Sequence, residues 1–204
     1  MRGNLIRAAE RLFAERGSEV VSLREILTAA GATNASAVQY HFNDRAGLLR
    51  AVLAKHHPMV EQRRHRLLDD YDAAGVDDIR ALAAALVEPL AAELDNPDGG
   101  VGYLQLLADV YNRPRPVIDP ATIEDPTNST YRWRAAVRPL LSDEAARLHR
   151  RFDASRFAVS ELARRGKARS KRSNRLFTSQ LVDLVSALLS APVSPQTAEL
   201  LRRD

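Results

Sequence analysis

The chain has no cysteine. Disulfide staples, thiol nucleophiles and thiolate metal sites are thereby excluded, and the composition suits a reducing compartment. Aromatic residues are sparse, 5% of 204, with one tryptophan, Trp133. No apolar run reaches the roughly 18 residues of a membrane-spanning helix. The opening MRGNLIRAAERLF is amphipathic and lacks a signal-peptide core. The expected location is therefore cytoplasmic, with no membrane partner. HExxH, GxSxG, Walker and GxGxxG patterns are also missing. The five histidines do not replace them. His41 has no partner at i+4, His56 and His57 fall on different helix faces, and His65 and His149 are isolated. We read these as surface or satisfied core histidines. No catalytic set, no metal site and no cofactor is expected, and the chain is read as not an enzyme.

What is present is helical periodicity, without an alternating strand pattern or an internal repeat. Hydrophobic residues make up 45% and charged residues 27%, enough for a substantial core. Net charge is +4; residues 1–55 hold eight basic and five acidic side chains, a mild basic bias compatible with a polyanion partner.

Ile6, Ala9 and Phe13 share one face of a first helix over 4–16, which Gly17 stops. Ser22-Leu-Arg-Glu25 is a capping box opening a second helix, with Leu23, Ile26, Leu27 and Ala30 on its inner face. Asn34, or Thr33, caps a short third helix in which Val38 and Phe42 lie four apart on one face. Asp44 caps a fourth helix running to about Tyr71, with Pro58 inside it as a kink or break. The expected core of this small unit is Ile6, Ala9, Phe13, Ile26, Ala30, Val38, Phe42 and Leu48.

Further helices are expected over 77–95, interrupted at Pro89, over 101–111, and over 128–139 with Trp133. Another starts at Ser142 and runs to about Arg164, and another covers about 174–190. Ser194-Pro195 opens a last short one. The Pro-rich 112–126 segment is a long irregular connection. Arg164–Arg175 carries seven basic residues and no acidic one; we read it as a solvated loop rather than a phosphate contact.

The fold class is therefore all-α: an N-terminal three-helix helix-turn-helix unit, residues 1–48, followed by a larger helical body, residues 49–204. A capped helix, a Gly-containing turn and a second short helix are the geometry that enters a DNA major groove. Small residues at the front of the reading helix (Asn34, Ala35, Ser36, Ala37) let its backbone approach base edges. Gln39, Tyr40 and His41 are suited to donate to phosphates, which fix position without reading sequence.

Residues 3–50 closely resemble the DNA-binding domain of TetR-type transcriptional regulators. The resemblance is carried by RLFAERG (Arg11–Gly17), by the SLREI…AAG second helix (Ser22–Gly31), and by AVQYHFNDRAGLL (Ala37–Leu49). The turn before the short helix is one residue longer than the commonest form, through Thr33, and Gln39 stands where a Tyr is frequent. The resemblance implies that Thr33, Asn34, Ser36 and Ala37 face base edges or the nearest phosphate. Gln39 and Tyr40 lie toward base and backbone. His41 and Arg45 contact phosphates, and Ser22 and Arg24 touch the DNA backbone from the second helix.

It also implies a body that binds a small molecule and dimerises through its last two long helices. The stripes Leu148, Phe152, Ser155, Val159, Leu162 and Phe177, Leu181, Leu184, Leu188 look like that homodimer interface. Tyr103, Leu107, Tyr111, Trp133 and Phe157 are the candidate lining of an effector cavity. The function implied is a dimeric repressor on a palindromic double-stranded DNA operator, released by a small-molecule effector. The alternative is a helical dimeric adaptor or small-molecule-binding protein that keeps the fold without specific DNA binding.

Overall fold

The structure, a computed structural model, describes residues 1–32, 34, 36–113, 124–168 and 173–203. Every regular element among them is helical. Thr33, Ala35, most of the 112–126 connection and the middle of the 164–175 segment, for which the sequence raises expectations, lie outside the described residues.

The head begins with α1 (Arg2–Arg16), whose end is closed by the Gly17 amide donating to the Phe13 carbonyl at 2.9 Å. The capping box then forms as expected: Ser22 Oγ accepts from Glu25 N at 3.2 Å while Glu25 Oε2 accepts from Ser22 N at 2.8 Å. It starts α2 (Leu23–Ala29). The short α3 spans Ala37–Phe42, and α4 follows as one 30-residue helix, Arg45–Ala74, opened by Asp44 accepting from Gly47 N at 2.6 Å. Pro58 lies inside α4 without ending it. At 1.5 Å per residue this helix is about 45 Å long, so one rod carries both head and body.

The body comprises α5 (Ile79–Ala91), a 3₁₀ turn (Ala92–Asp95), α6 (Gly100–Tyr111), α7 (Ser129–Val137), α8 (Asp143–Arg147), α9 (Arg150–Lys167), α10 (Asn174–Ser190) and α11 (Pro195–Arg203). Pro89 is buried within α5; the helix runs past it and tightens to 3₁₀ only at Ala92. The single helix expected from Ser142 to Arg164 is two. Ser142 caps α8, and the chain breaks at Leu148-His149, where His149 takes φ 55°. The break places Ala145 in the core and lets α9 start on a new axis, held by Arg150 donating to the Leu188 and Ala191 carbonyls at 3.0 and 2.8 Å.

Two cores result. The body core gathers Leu82, Leu86, Leu104, Trp133, Val159, Leu162, Leu181 and Val185, with Trp133 Nε1 donating to the Leu82 carbonyl at 2.8 Å. The head core contains the expected Ile6, Ala9, Phe13, Ile26, Val38, Phe42 and Leu48; Ala30 only packs against its edge. It also takes Leu49, Ala51 and Val52 from α4, and Leu106 and Val110 from α6. A head this small leans on neighbouring helices to bury enough surface. The α1–α6 contact is close enough that a Cβ on Gly102 would stand 2.3 Å from the Glu10 carbonyl oxygen. The α1–α2 turn is pinned from the same side, because Ser18 N donates to Asp109 Oδ2 at 2.9 Å and Arg113 pairs with Glu19.

Candidate nucleic-acid interface

The candidate surface is built on α3 and its flanks. Val38 and Phe42 point inward, 4% and 8% exposed, and fix the helix from below. Between α3 and α4 the chain turns at Asn43, φ 70°, and Gly47 comes directly under the Phe42 carbonyl. What remains outward is polar. Tyr40 is 84% exposed, and Asn34, Ser36 and Gln39 are exposed beside it. His41 is half-buried, its ring edge-on to Tyr40 and Phe42 at 4.9 and 6.1 Å.

Asn34 does not cap α3. Its Oδ1 accepts from Ser36 N at 2.9 Å and from Ser36 Oγ at 2.7 Å, a local turn that delays the helix to Ala37. The amide oxygen is engaged twice, so the Nδ2 protons of Asn34 are its outward donors.

That later start corrects one expectation. Ala37 was expected to face DNA; it is 6% exposed and lies in the head core with Val38, because beginning the helix there rotates it inward. Ser22 is exposed, and its hydroxyl donates to Glu25 Oε2 at 2.7 Å within the capping box. Arg24 is exposed on the same turn. The Ser22 amide and hydroxyl, together with Arg16 at 2.5 Å, hold the Glu25 carboxyl down to about 2. The stabilisation they bring to α2 is thus present above the ordinary carboxylate range and lost as pH falls through about 2.

Arg45 opens α4 and donates one guanidinium nitrogen to the Ser18 carbonyl. This ties the two flanks of the reading helix together and leaves its other donors outward. A hollow of about 600 Å³ lies beside α3, and Arg2 and Arg50 line it with Gln39, Tyr40, His41 and Asn43, without a carboxylate. Arg2 also stacks over the Phe42 ring at 5.3 Å. Arg2 and Arg50 were not among the expected contacts. Both lie outside the quoted motifs, Arg2 near the start of α1 and Arg50 in the first turns of α4, and they come beside α3 only once these helices fold against it.

The two expected dimer stripes are divided by burial. Ser155, Val159, Leu162 and Leu181 are buried inside the chain's own body. Leu148, Phe177 and Leu188 are partly covered, while Phe152 and Leu184 are each 46% exposed. Of the expected effector lining, Tyr103 and Trp133 are buried and Leu107, Tyr111 and Phe157 pack at the edge of the body core. Nearby, Arg64 is buried and donates to the Ala85 carbonyl, Ser129 Oγ and Thr130 Oγ1 at 3.1, 3.0 and 3.2 Å.

Among the described residues no group of three or more His, Asp or Glu side chains is placed to hold a metal ion. No single described helix is long and apolar enough to cross a membrane. In comparison with known proteins, residues 5–52, about a quarter of the chain, match the family model of bacterial regulatory proteins, tetR family. No curated protein matches the chain. The matched segment coincides with α1 to the start of α4, so the head carries the helix-turn-helix domain of bacterial regulatory proteins of the tetR family.

Proposed function

We propose that the chain is a sequence-specific, dimeric repressor that leaves a two-fold operator when a small molecule binds its body. The observation that carries the DNA reading is the outward polar face of a short helix whose inward face is locked. Asn34, Ser36, Gln39 and Tyr40 are exposed, while Ala37, Val38 and Phe42 are buried. Such a helix has little freedom to turn, so its side chains meet base edges in one register. Around it, Arg2, Arg24, Arg45, Arg50 and His41 supply cationic or donor groups for phosphates.

Dimerisation follows from how little one six-residue helix can grip. Two copies double the contact and fix the half-site spacing. The face available for it is the exposed part of α9 and α10, Phe152 and Leu184 foremost. Residues 1–48 serve as the reading head and 49–204 as the effector and dimer body. Tyr103, Leu107, Tyr111, Trp133 and Phe157, with the buried cation of Arg64, are the groups an effector would meet. A compound that both raises the thermal midpoint and releases the duplex identifies itself as that effector; one that raises the midpoint with the duplex retained is not. A protein with this role acts where DNA is, in the cytoplasm, by binding rather than catalysis.

The two kinds of contact separate by mutation. Arg45→Ala is expected to weaken all duplexes alike and to lower the salt slope by about 1. Gln39→Ala is expected to cost about 1–3 kcal/mol at one base pair of each half-site and little elsewhere. Fluorescence anisotropy against a set of single-base variants, at several salt concentrations, reads both. If Gln39→Ala weakened every variant equally, Gln39 would be a phosphate contact and the assignment here would be wrong.

A further inference from the structure

His56 lies on α4, 3% exposed, between two carboxylates that come from different parts of the chain. Its Nε2 is 2.9 Å from Oε1 of Glu10 on α1, and its Nδ1 is 2.8 Å from Oε2 of Glu93 in the 3₁₀ turn after α5. Glu10 and Glu93 are 2% and 1% exposed. A neutral imidazole has one N–H and one lone pair. It could satisfy one carboxylate and would turn its lone pair on the other. Both contacts are satisfied when both nitrogens carry protons.

The surrounding charges agree with a cation there. Lys55 Nζ reaches Glu10 Oε2 at 2.7 Å and Asp98 Oδ1 at 2.9 Å, and Arg63 reaches Glu93 Oε1 at 3.0 Å. With His56 charged, three cations (Lys55, His56, Arg63) face three anions (Glu10, Glu93, Asp98). Asn96 donates to Glu93 Oε2 at 2.7 Å. From α6, the Tyr103 ring stacks on the imidazole at 4.7 Å, and burial pushes its phenol far above the ordinary range. Burial opposes the charge on His56, but the hydrogen bonds and charges of Glu10 and Glu93 outweigh it and push the imidazole up to about 9.

Buried ion clusters add less stability than well-packed apolar residues of the same volume. What they add is direction, because hydrogen bonds hold one geometry where apolar contacts allow sliding. Glu10 belongs to the head and Glu93 and Tyr103 to the body, while His56 stands on the rod that carries both. We propose that Glu10, His56 and Glu93 are a positioning clasp that sets the angle of the DNA-reading head on the helical body. The regulatory meaning of that angle rests on the DNA reading above. In a dimer it decides whether two reading helices match successive major grooves, and Tyr103 links it to the residues expected to meet the effector.

The sign of the pH effect follows. A cationic His56 stabilises the clasp fully below its ordinary range, and the contribution is lost as pH rises through about 9. Hydrogen exchange of the full chain needs no DNA and reads the head through residues 2–16, with residues 79–91 as reference. After correction for intrinsic rates, wild-type protection of α1 relative to α5 is expected to fall at least about tenfold as pH rises from 7 to 9 and to level off above 9. His56→Gln should show low protection at pH 7 and no step. Nitrogen NMR of the histidine rings should show both nitrogens of His56 protonated at pH 7. If His56→Gln fails to fold, Glu93→Gln replaces it, and the His56 midpoint should move down toward 6.5. A neutral ring at pH 7, an α1 step that persists in His56→Gln, or a midpoint unmoved by Glu93→Gln would each overturn the clasp. A chain that shows the step yet binds no duplex keeps the clasp and loses the DNA reading.

Discussion

Replacing Gly47 with alanine is expected to lower operator affinity by at least about 100-fold, about 2.7 kcal/mol of binding free energy, while leaving the helical body intact. The added Cβ would stand 1.8 Å from the Phe42 carbonyl oxygen and 2.9 Å from its carbon. Both are backbone atoms, so no rotamer change relieves the clash. The first turn of α4 and the last residue of α3 must part. Phe42 is one of the buried anchors of the reading helix, and moving it turns Gln39 and Tyr40 away from the groove. Because reading depends on a geometry held within a few tenths of an ångström, a small rotation suffices. Circular dichroism should keep nearly all its helical signal, since α4 beyond its first turn and α5 to α11 are untouched. Duplex binding within about threefold of wild type, roughly 0.7 kcal/mol, would show that α3 is not held in the way described.

Gly102→Ala is expected to have the largest effect on stability. Its Cβ would lie 2.3 Å from the Glu10 carbonyl oxygen, 2.9 Å from the carbonyl carbon and 3.2 Å from Cα. Overpacking against backbone costs about 1–3 kcal/mol or more. For a chain of this length that corresponds to a fall of roughly 2–12 °C in thermal midpoint. The damage is local in origin, at the face where α6 carries Leu106 and Val110 into the head core. Exchange protection should therefore fall first in α1 and α2, and in α10 only at global unfolding. Uniform loss across all helices would mean that head and body melt as one unit without a separable junction.

Much of the head is legible in the sequence because its signals are local. The Ser22–Glu25 box and the Asp44 cap involve neighbours three residues apart, and the Val38–Phe42 pair is a single helical turn. Each forms in the structure as read. The failures have physical causes. Ala37 reads as a DNA-facing residue because it is small and stands at the front of the reading helix; Asn34 bonds Ser36, α3 starts at Ala37, and Ala37 is buried in the head core. The break at His149 carries neither Gly nor Pro to announce it, and a histidine in the left-handed region is uncommon. Three of the four stripe residues on α9, Ser155, Val159 and Leu162, face inward, since periodicity shows an apolar face and not what covers it.

The ionic clasp is the least legible feature. Glu10, His56 and Glu93 are far apart in sequence, and each alone reads as a polar position on an amphipathic helix. The expectation of a surface or satisfied core histidine is met at His56 only in its second form, by two carboxylates that no local pattern joins. Glycine gives a partial signal, since Gly99, Gly100 and Gly102 cluster where α6 meets α1 and the 3₁₀ turn. In the sequence Gly99 and Gly100 read simply as a loop and Gly102 as part of the 101–111 helix.

The central claim is that the outward face of α3, doubled by dimerisation, reads a specific duplex. The most direct measurement is a selection of genomic DNA fragments by the purified full-length chain. It is followed by anisotropy of the winning site against unrelated duplex across a salt series, with stoichiometry read at saturation. The account predicts a two-fold symmetric site, two chains bound per site, affinity at least about 1,000-fold above unrelated DNA, and a steep fall with salt. Binding that shows the salt dependence but no preferred sequence, or no duplex binding at all, would contradict it and favour a helical adaptor built on the same fold.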